Sequence, residues 1–210
     1  MSPTPVSRET MIQTRLLEAA ARLLSEDPSA LSARRIATEA GVSTMGLYTH
    51  FGSMGNLVNA VVDEGFRRLF AEMSVVGHSE DPVSDITGLT QAYLRHARTN
   101  PHLYAVMFGS APLGNHEPRK SGDLKRGVHT LNMVADAMER AMSAGRFRPD
   151  NPFVVANQWW ITMHGYVLLE AAGYIQPPAG ETKVLTPTLL HLFIGLGDDA
   201  SKAEASLRHR

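Results

Sequence analysis

The sequence predicts an all-α fold, and two observations carry that prediction. Apolar residues recur three and four positions apart, and the alternation expected of strands is nearly absent. Helix start and stop signals return at intervals along the chain: Ser, Asp or Asn before an apolar run, proline in a first turn, glycine after an end.

The elements follow in order. Ile12, Leu16, Ala19 and Leu23 give residues 8–26 one apolar face, with Ser7 as cap and Asp27-Pro28 as the end. Ser32 caps a second helix that stops at Gly41, where a left-handed backbone suits glycine. Ser43 caps a third that runs to about Phe51. Ser53 begins a long fourth through about Val76. Asp81-Pro82 supplies a cap and a first-turn proline for a helix ending before Asn100-Pro101, and a short one, "HLYAVMF", follows. The segment 109–122, "GSAPLGNHEPRKSG", reads as an exposed loop. Residues 123–144 form the next helix, stopped by Gly145. Asn151-Pro152 opens an apolar one reaching to about residue 175. Thr186-Pro187 opens the last, "TLLHLFIGLG", and from about Ala200 a polar, frayed tail is expected.

Composition narrows the function. Lys and Arg number 20 against 21 Asp and Glu, a net charge of -1, so a polyanionic partner would have to be met by a local site. Cysteine is absent, which removes disulfides, thiolate metal sites and cysteine nucleophiles and fits a reducing cytoplasm. "MSPTPVSRET" has no apolar run, so no secretory signal is expected. The stretch 153–175 is long enough to span a bilayer, but Asn157, Gln158, His164 and Glu170 lie within it. A helix buried on most of its sides is the reading adopted, with no membrane contact.

The stretch "RRIATEAGVSTMGLYTHF", residues 34–51, carries the functional signal. Ile36 and Ala37 fall on the inner side of the second helix, Leu47 and Phe51 on that of the third. Ala37 is small enough to let two short helices cross steeply, as a helix-turn-helix requires. Thr44, Met45, Tyr48 and Thr49 then share the outer face, because positions i, i+1, i+4 and i+5 lie on one side of a helix. That face is polar and aromatic where a core helix would be apolar, which suits a DNA major groove. The composition shifts near residue 52, dividing the chain into a helix-turn-helix domain at 1–52, a longer helical domain at 53–200, to which the resemblance given below assigns effector binding and dimerisation, and the tail at 201–210.

At these residues the chain resembles the tetracycline-repressor-like (TetR) family of bacterial transcription regulators. The pattern is met by Ser32, Arg34, Ile36, Ala37, Ala40, Gly41, Val42, Ser43, Leu47, Tyr48, His50 and Phe51. The resemblance implies that Ser32, Tyr48 and His50 bond phosphates and that Thr44, Met45 and Thr49 meet base edges or thymine methyls. Arg34, Arg35 and Arg8 are left to supply charge, and Ser43 completes the implied DNA-binding set. Two features depart from a strong binder. Met54 and Gly55 stand where the family usually has a lysine and an acid, and residues 1–52 hold five arginines against five acids. Counterion release should therefore be modest.

The C-terminal part is similar to a TetR subgroup marked by Trp, then His-Gly, here Trp160, His164 and Gly165. Trp160 and His164 are four apart and can touch. Gly165 in mid-helix suggests a close helix approach. The helices at 152–175 and 187–197 are almost uncharged, so their apolar area exceeds what one small bundle hides and points to a partner. The resemblance supplies a twofold homodimer through a four-helix bundle, with Leu192 and Phe193 on the seam. Two reading helices about 34 to 36 Å apart would meet successive grooves of a near-palindromic operator. A small, largely apolar effector is expected among Tyr93, His96, Tyr104, Met107, Phe108, Met133, Trp159, Met163 and His164, since Met and aromatic side chains line adaptable pockets. By the same resemblance, its binding tilts the fourth helix and releases the operator, so the protein acts as a repressor.

Two other functional classes fit the sequence less well. None of the nine histidines lies three or four positions from another, no Glu-x-x-His pair occurs, and "FGSMGN" lacks the lysine of a phosphate loop. No catalytic residue, cofactor or metal is therefore expected, and a small helical enzyme is the lesser reading. A helical adaptor that uses the same motif to bind protein is the other.

Overall fold

The computed structural model describes residues 8–26, 32–108 and 127–208. Ten α-helices are described: α1 (Arg8–Glu26), α2 (Ala33–Ala40), α3 (Thr44–Phe51), α4 (Met54–Ser74), α5 (Pro82–Thr99), α6 (Pro101–Met107), α7 (Val128–Ser143), α8 (Pro152–Ala171), α9 (Thr186–Leu196) and α10 (Ala200–Arg208). Among the described residues there is no strand, and none of their helices is long and apolar enough to cross a membrane. The fold is all-α. The expected cap Ser7, the stop at Asp27-Pro28 and the loop 109–122 lie outside the described residues.

Local chemistry explains most boundaries. The Ser32 hydroxyl accepts from the Arg35 amide at 3.2 Å, Ser43 from Gly46 at 3.0 Å and Ser53 from Asn56 at 3.1 Å, so three successive helices open on the serines that the spacing predicts. Gly41 ends α2 at φ 65, with its amide and that of Val42 bonding back to Thr38 and Ala37 carbonyls. Asn151 caps α8 through bonds from the Phe153 and Val154 amides, ahead of first-turn Pro152.

Several boundaries differ from expectation. The helix expected from 123 is α7 and begins at Val128, because Gly127 takes a left-handed φ of 80 that breaks the run; residues 123–126 lie outside the described residues. The apolar helix ends at Ala171 rather than near 175, since Gly173 turns the chain at φ 81. Thr186-Pro187 opens α9, as expected, but not out of a loop. A π-helical turn, Glu181–Leu185, leads directly into α9, and Pro187 sits near the change from i→i+5 to i→i+4 bonding. The expected frayed tail is helix α10, which the Asp199 carboxylate caps at 3.0 Å from the Lys202 amide and which buries Ala203 and Ser206.

The chain forms two compact units. The first holds residues up to Arg67 together with 100–124, so α4 contributes to both units and α6 joins the helix-turn-helix. Leu16, Leu24, Ile36, Leu47 and Leu57 are fully buried in it, and α1 contacts both α2 and α6. Phe51, expected inside, is half-buried. A Cβ on Gly65 would strike the Met107 side chain, so glycine there lets α4 and α6 approach closely.

The second unit holds 68–99 and 125–210. Its core includes Ile86, Leu94, Val134, Met138, Trp159, Met163 and Phe193. Two ionic clusters tie its helices. Arg146 bonds Asp198 at 2.6 and 2.7 Å, Asp81 at 2.8 Å and Ser206 at 3.0 Å, and Ser206 donates to Asp81 at 2.6 Å. Arg98 bonds Glu170 twice at 2.8 Å and Glu181 at 3.1 Å, with Tyr166 donating to Glu170 at 2.9 Å.

Candidate nucleic-acid interface

Helices α2 and α3 set the geometry of the first unit's reading surface. Ile36, Ala37 and Leu47 are buried between them, which turns Thr44, Met45, Tyr48 and Thr49 outward. Met45 is 73% exposed and Tyr48 44%, large values for residues with so much apolar surface. The Thr49 hydroxyl donates to the Met45 carbonyl at 2.9 Å, leaving its methyl and its acceptor lone pairs for a partner. No Lys or Arg stands on α3.

Ser32, Arg34 and Arg35 lie exposed at the start of α2. With Thr38 and Glu39 they line a hollow of about 390 Å³. Ser32 and Ser43 both accept cap bonds through their side-chain oxygens, which leaves each O–H able to donate. His50 is half-buried at the end of α3.

Three residues here went unread in the sequence. Thr38 and Glu39 are one turn beyond Arg34 and Arg35 on α2, so i, i+4 spacing could have found them. Glu39 forms an ion pair with Arg22 of α1, which also pairs with Glu26 at 3.2 Å. A Cβ on Gly41 would meet the Arg15 guanidinium, which therefore lies against the turn between α2 and α3. Nothing local in the sequence signals that contact.

The nine residues expected around an effector fall in both units: Tyr104, Met107 and Phe108 in the first, the other six in the second. Within the first, the Tyr104 and Phe108 rings are 4.7 Å apart, and Phe66 meets Phe108 edge-on at 5.5 Å. Within the second, Tyr93 meets Trp159 edge-on at 5.6 Å, and the Trp159 indole donates to Thr90 at 3.0 Å. The Trp160 indole donates to the Tyr93 hydroxyl at 3.3 Å, and the Trp160 and His164 rings are 5.5 Å apart. Trp160 is the member of this group absent from the expected set. His96 is fully buried, with Nδ1 3.0 Å from Glu72. Burial holds its pKa below the ordinary value even though Glu72 works in the opposite direction, and burial lowers His164 too. Met163 is buried, whereas Met133 borders a separate small cavity with Leu89 and Arg140.

Two expectations about α8 and α9 need correction. No other described element comes within 4 Å of a Cβ on Gly165, so the close approach it suggested is not made among the described residues. Phe193 belongs to the core, fully buried and 5.7 Å from the Phe147 ring, so it is spent on packing within the second unit rather than offered to a seam.

Comparison with known proteins accords with this geometry. The family model of bacterial regulatory proteins of the tetR family matches residues 16–61, and that of tetracyclin repressor-like C-terminal domains matches residues 86–192. An uncharacterized HTH-type transcriptional regulator of Mycobacterium tuberculosis is 25% identical over 194 residues, covering 92% of this chain and 83% of that one. A protein of unknown function from Rhodococcus sp. RHA1 superposes with a TM-score of 0.73 at 26% identity, covering 94% of this chain and all of that chain. AibR, solved with isovaleryl coenzyme A and operator DNA, shares the fold at a TM-score of 0.61 and 20% identity, over 80% of this chain and 89% of its own.

Proposed function

The chain belongs to the tetracycline-repressor (TetR) family and is a DNA-binding transcriptional regulator, and on that premise we propose that it is an effector-released repressor acting as a homodimer. The outward face of α3 carries this reading. Met45 and Tyr48 stand exposed beside Thr44 and Thr49, on a helix held by a serine cap and a buried Leu47. Ser32, Tyr48 and His50 hold phosphates, Thr44, Met45 and Thr49 meet bases, and Arg34 and Arg35 supply charge. Ser43 keeps the end of α3 in place while its O–H can reach a phosphate.

Exposed apolar residues on α8 and beside α9 support the dimer. Val154, Ile161 and Leu169 lie on one side of α8 with Gly165 between them, and Val184 of the π-helical turn and Ile194 of α9 are exposed as well. Nothing described approaches Gly165 or Gly195 from within the chain, which leaves room for helices of a second copy. The Tyr93, Trp159, Trp160 and His164 group supports an aromatic-lined effector site in a largely apolar setting. That AibR is solved with isovaleryl coenzyme A and operator DNA supports a small ligand and a duplex as the two partners, and α4, which has residues in both units, is the element through which one would act on the other.

The test is selection of bound duplexes from a random or genomic pool by the purified full chain. The expected product is a near-palindrome with half-sites about 34 to 36 Å apart. A compound that binds the second unit should then lower affinity for that duplex. Recovery of no enriched duplex in dilute buffer would overturn the DNA reading, and an effector that leaves affinity unchanged would overturn the coupling.

A further inference from the structure

A groove of about 800 Å³ opens on the second unit, within the range of small-molecule sites. Ser84, Gly88, Gln91 and Arg95, spaced four, three and four apart, form one wall along α5, and Glu181 and Thr182 of the π-helical turn face them. None of the nine residues expected around the apolar effector borders it.

Its acceptors are already engaged. Glu181 takes Gln91 on one oxygen and Arg98 on the other, each at 3.1 Å. Asp85, also on the lining, accepts from the Ser79 amide and hydroxyl and from Arg140. Donors are in surplus. The Arg95 side chain is 59% exposed and lies 3.8 Å from Glu72, beyond hydrogen-bond length, and among the described residues its guanidinium makes no hydrogen bond. The Ser84 hydroxyl makes no side-chain hydrogen bond among them either.

Between these two donors the floor is apolar. A Cβ on Gly88 would lie 2.7 Å from Val76, so the Val76 side chain fills the space that glycine leaves. From residue 84 to residue 95 the helix rises about 16 Å, so one small anion cannot bridge both ends. The opposite wall is fixed by the Arg98, Glu170 and Tyr166 cluster, and π-helical turns are frequent at functional sites.

We propose that this groove binds an elongated organic anion, its carboxylate or phosphate held by Arg95, its apolar middle over Val76, and an acceptor at its far end meeting Ser84. The site is separate from the DNA face and from the aromatic group on α8, and stands whether or not either of those readings does.

Calorimetric titration of the full chain with 6-hydroxyhexanoate, 6-hydroxyhexyl phosphate and 1,6-hexanediol, at constant ionic strength, tests it. At least one anion should bind and the diol should not. Binding of only the carboxylate or only the phosphate identifies the head group. Arg95→Gln, at an exposed position, should keep the wild-type melting temperature and lose at least about tenfold in affinity. Lys202→Gln, a control cation on α10, should retain binding. The proposal is overturned if neither anion binds, if the Arg95 variant binds as wild type does, or if the Lys202 variant loses as much.

Discussion

Replacing Ile161 by Glu tests the homodimer where the structure makes the perturbation cleanest. Ile161 is 69% exposed in the single chain, so the substitution leaves the protomer core intact, and stability should change by no more than about 0.5 kcal/mol. If α8 forms the seam, most of that side chain is covered on association. Burying an isoleucine contributes about 1.5 to 3 kcal/mol, and twofold symmetry applies the loss twice, giving roughly 3 to 6 kcal/mol before any cost of desolvating the two carboxylates. Dimer dissociation should then rise by at least two decades, at about 1.4 kcal/mol per decade. Sedimentation velocity across a concentration series measures this directly. Operator binding should weaken in parallel, because a lone reading helix meets too few bases. An unchanged dissociation constant would place the seam elsewhere. Phe193 cannot serve the same purpose, since a charge at that buried position would unfold the second unit.

Three further outcomes are expected. Tyr48→Ala should weaken binding to the selected duplex at every salt concentration while leaving the melting curve unchanged, and undiminished affinity in a fluorescence titration would refute the docking of α3. Arg146→Met should cost about 3 to 5 kcal/mol in urea denaturation, because Asp198 is left buried without its partner, and Arg146→Met with Asp198→Leu should recover part of it; a single-variant loss below about 1 kcal/mol would count against the clamp. Stability should fall in two stages on acidification. Burial depresses His96 and His164, so the unfolded chain takes up protons first and stability declines as pH drops below about 6.5. Burial would raise Asp81 and Asp85, but Ser206 and Arg146 on the one, and Ser79 and Arg140 on the other, outweigh it, while Arg98 lowers Glu170; their contribution is present above about pH 4 and lost below it. His164→Gln should shrink the upper stage, and a urea midpoint that rises between pH 7 and pH 5 would contradict the scheme.

What could be read in advance was what short-range chemistry decides. The serine caps at 32, 43 and 53 and the turn at Gly41 depend on neighbours within four residues, so the helix-turn-helix was legible to its boundaries. Helix α10 was not, because its buried residues are Ala203 and Ser206, which carry little apolar signal, and Ser206 is anchored to Asp81 across 125 positions. The π-helical turn was hidden for the same reason. Its Glu181 is held by Arg98, 83 residues away. Among the site residues, Thr44, Met45, Tyr48 and Thr49 were found from helical phase alone, while Arg15 needed the tertiary approach of α1 to Gly41.

The lack of cations on α3 bears on how the regulator finds its target. A protein with a strongly positive reading helix spends much of its life adsorbed to random chromosomal sequence, drifting along it between encounters. On the proposed docking that adhesion is left to a few arginines on α2 and around it, so affinity for random duplex should be low and its salt dependence shallow.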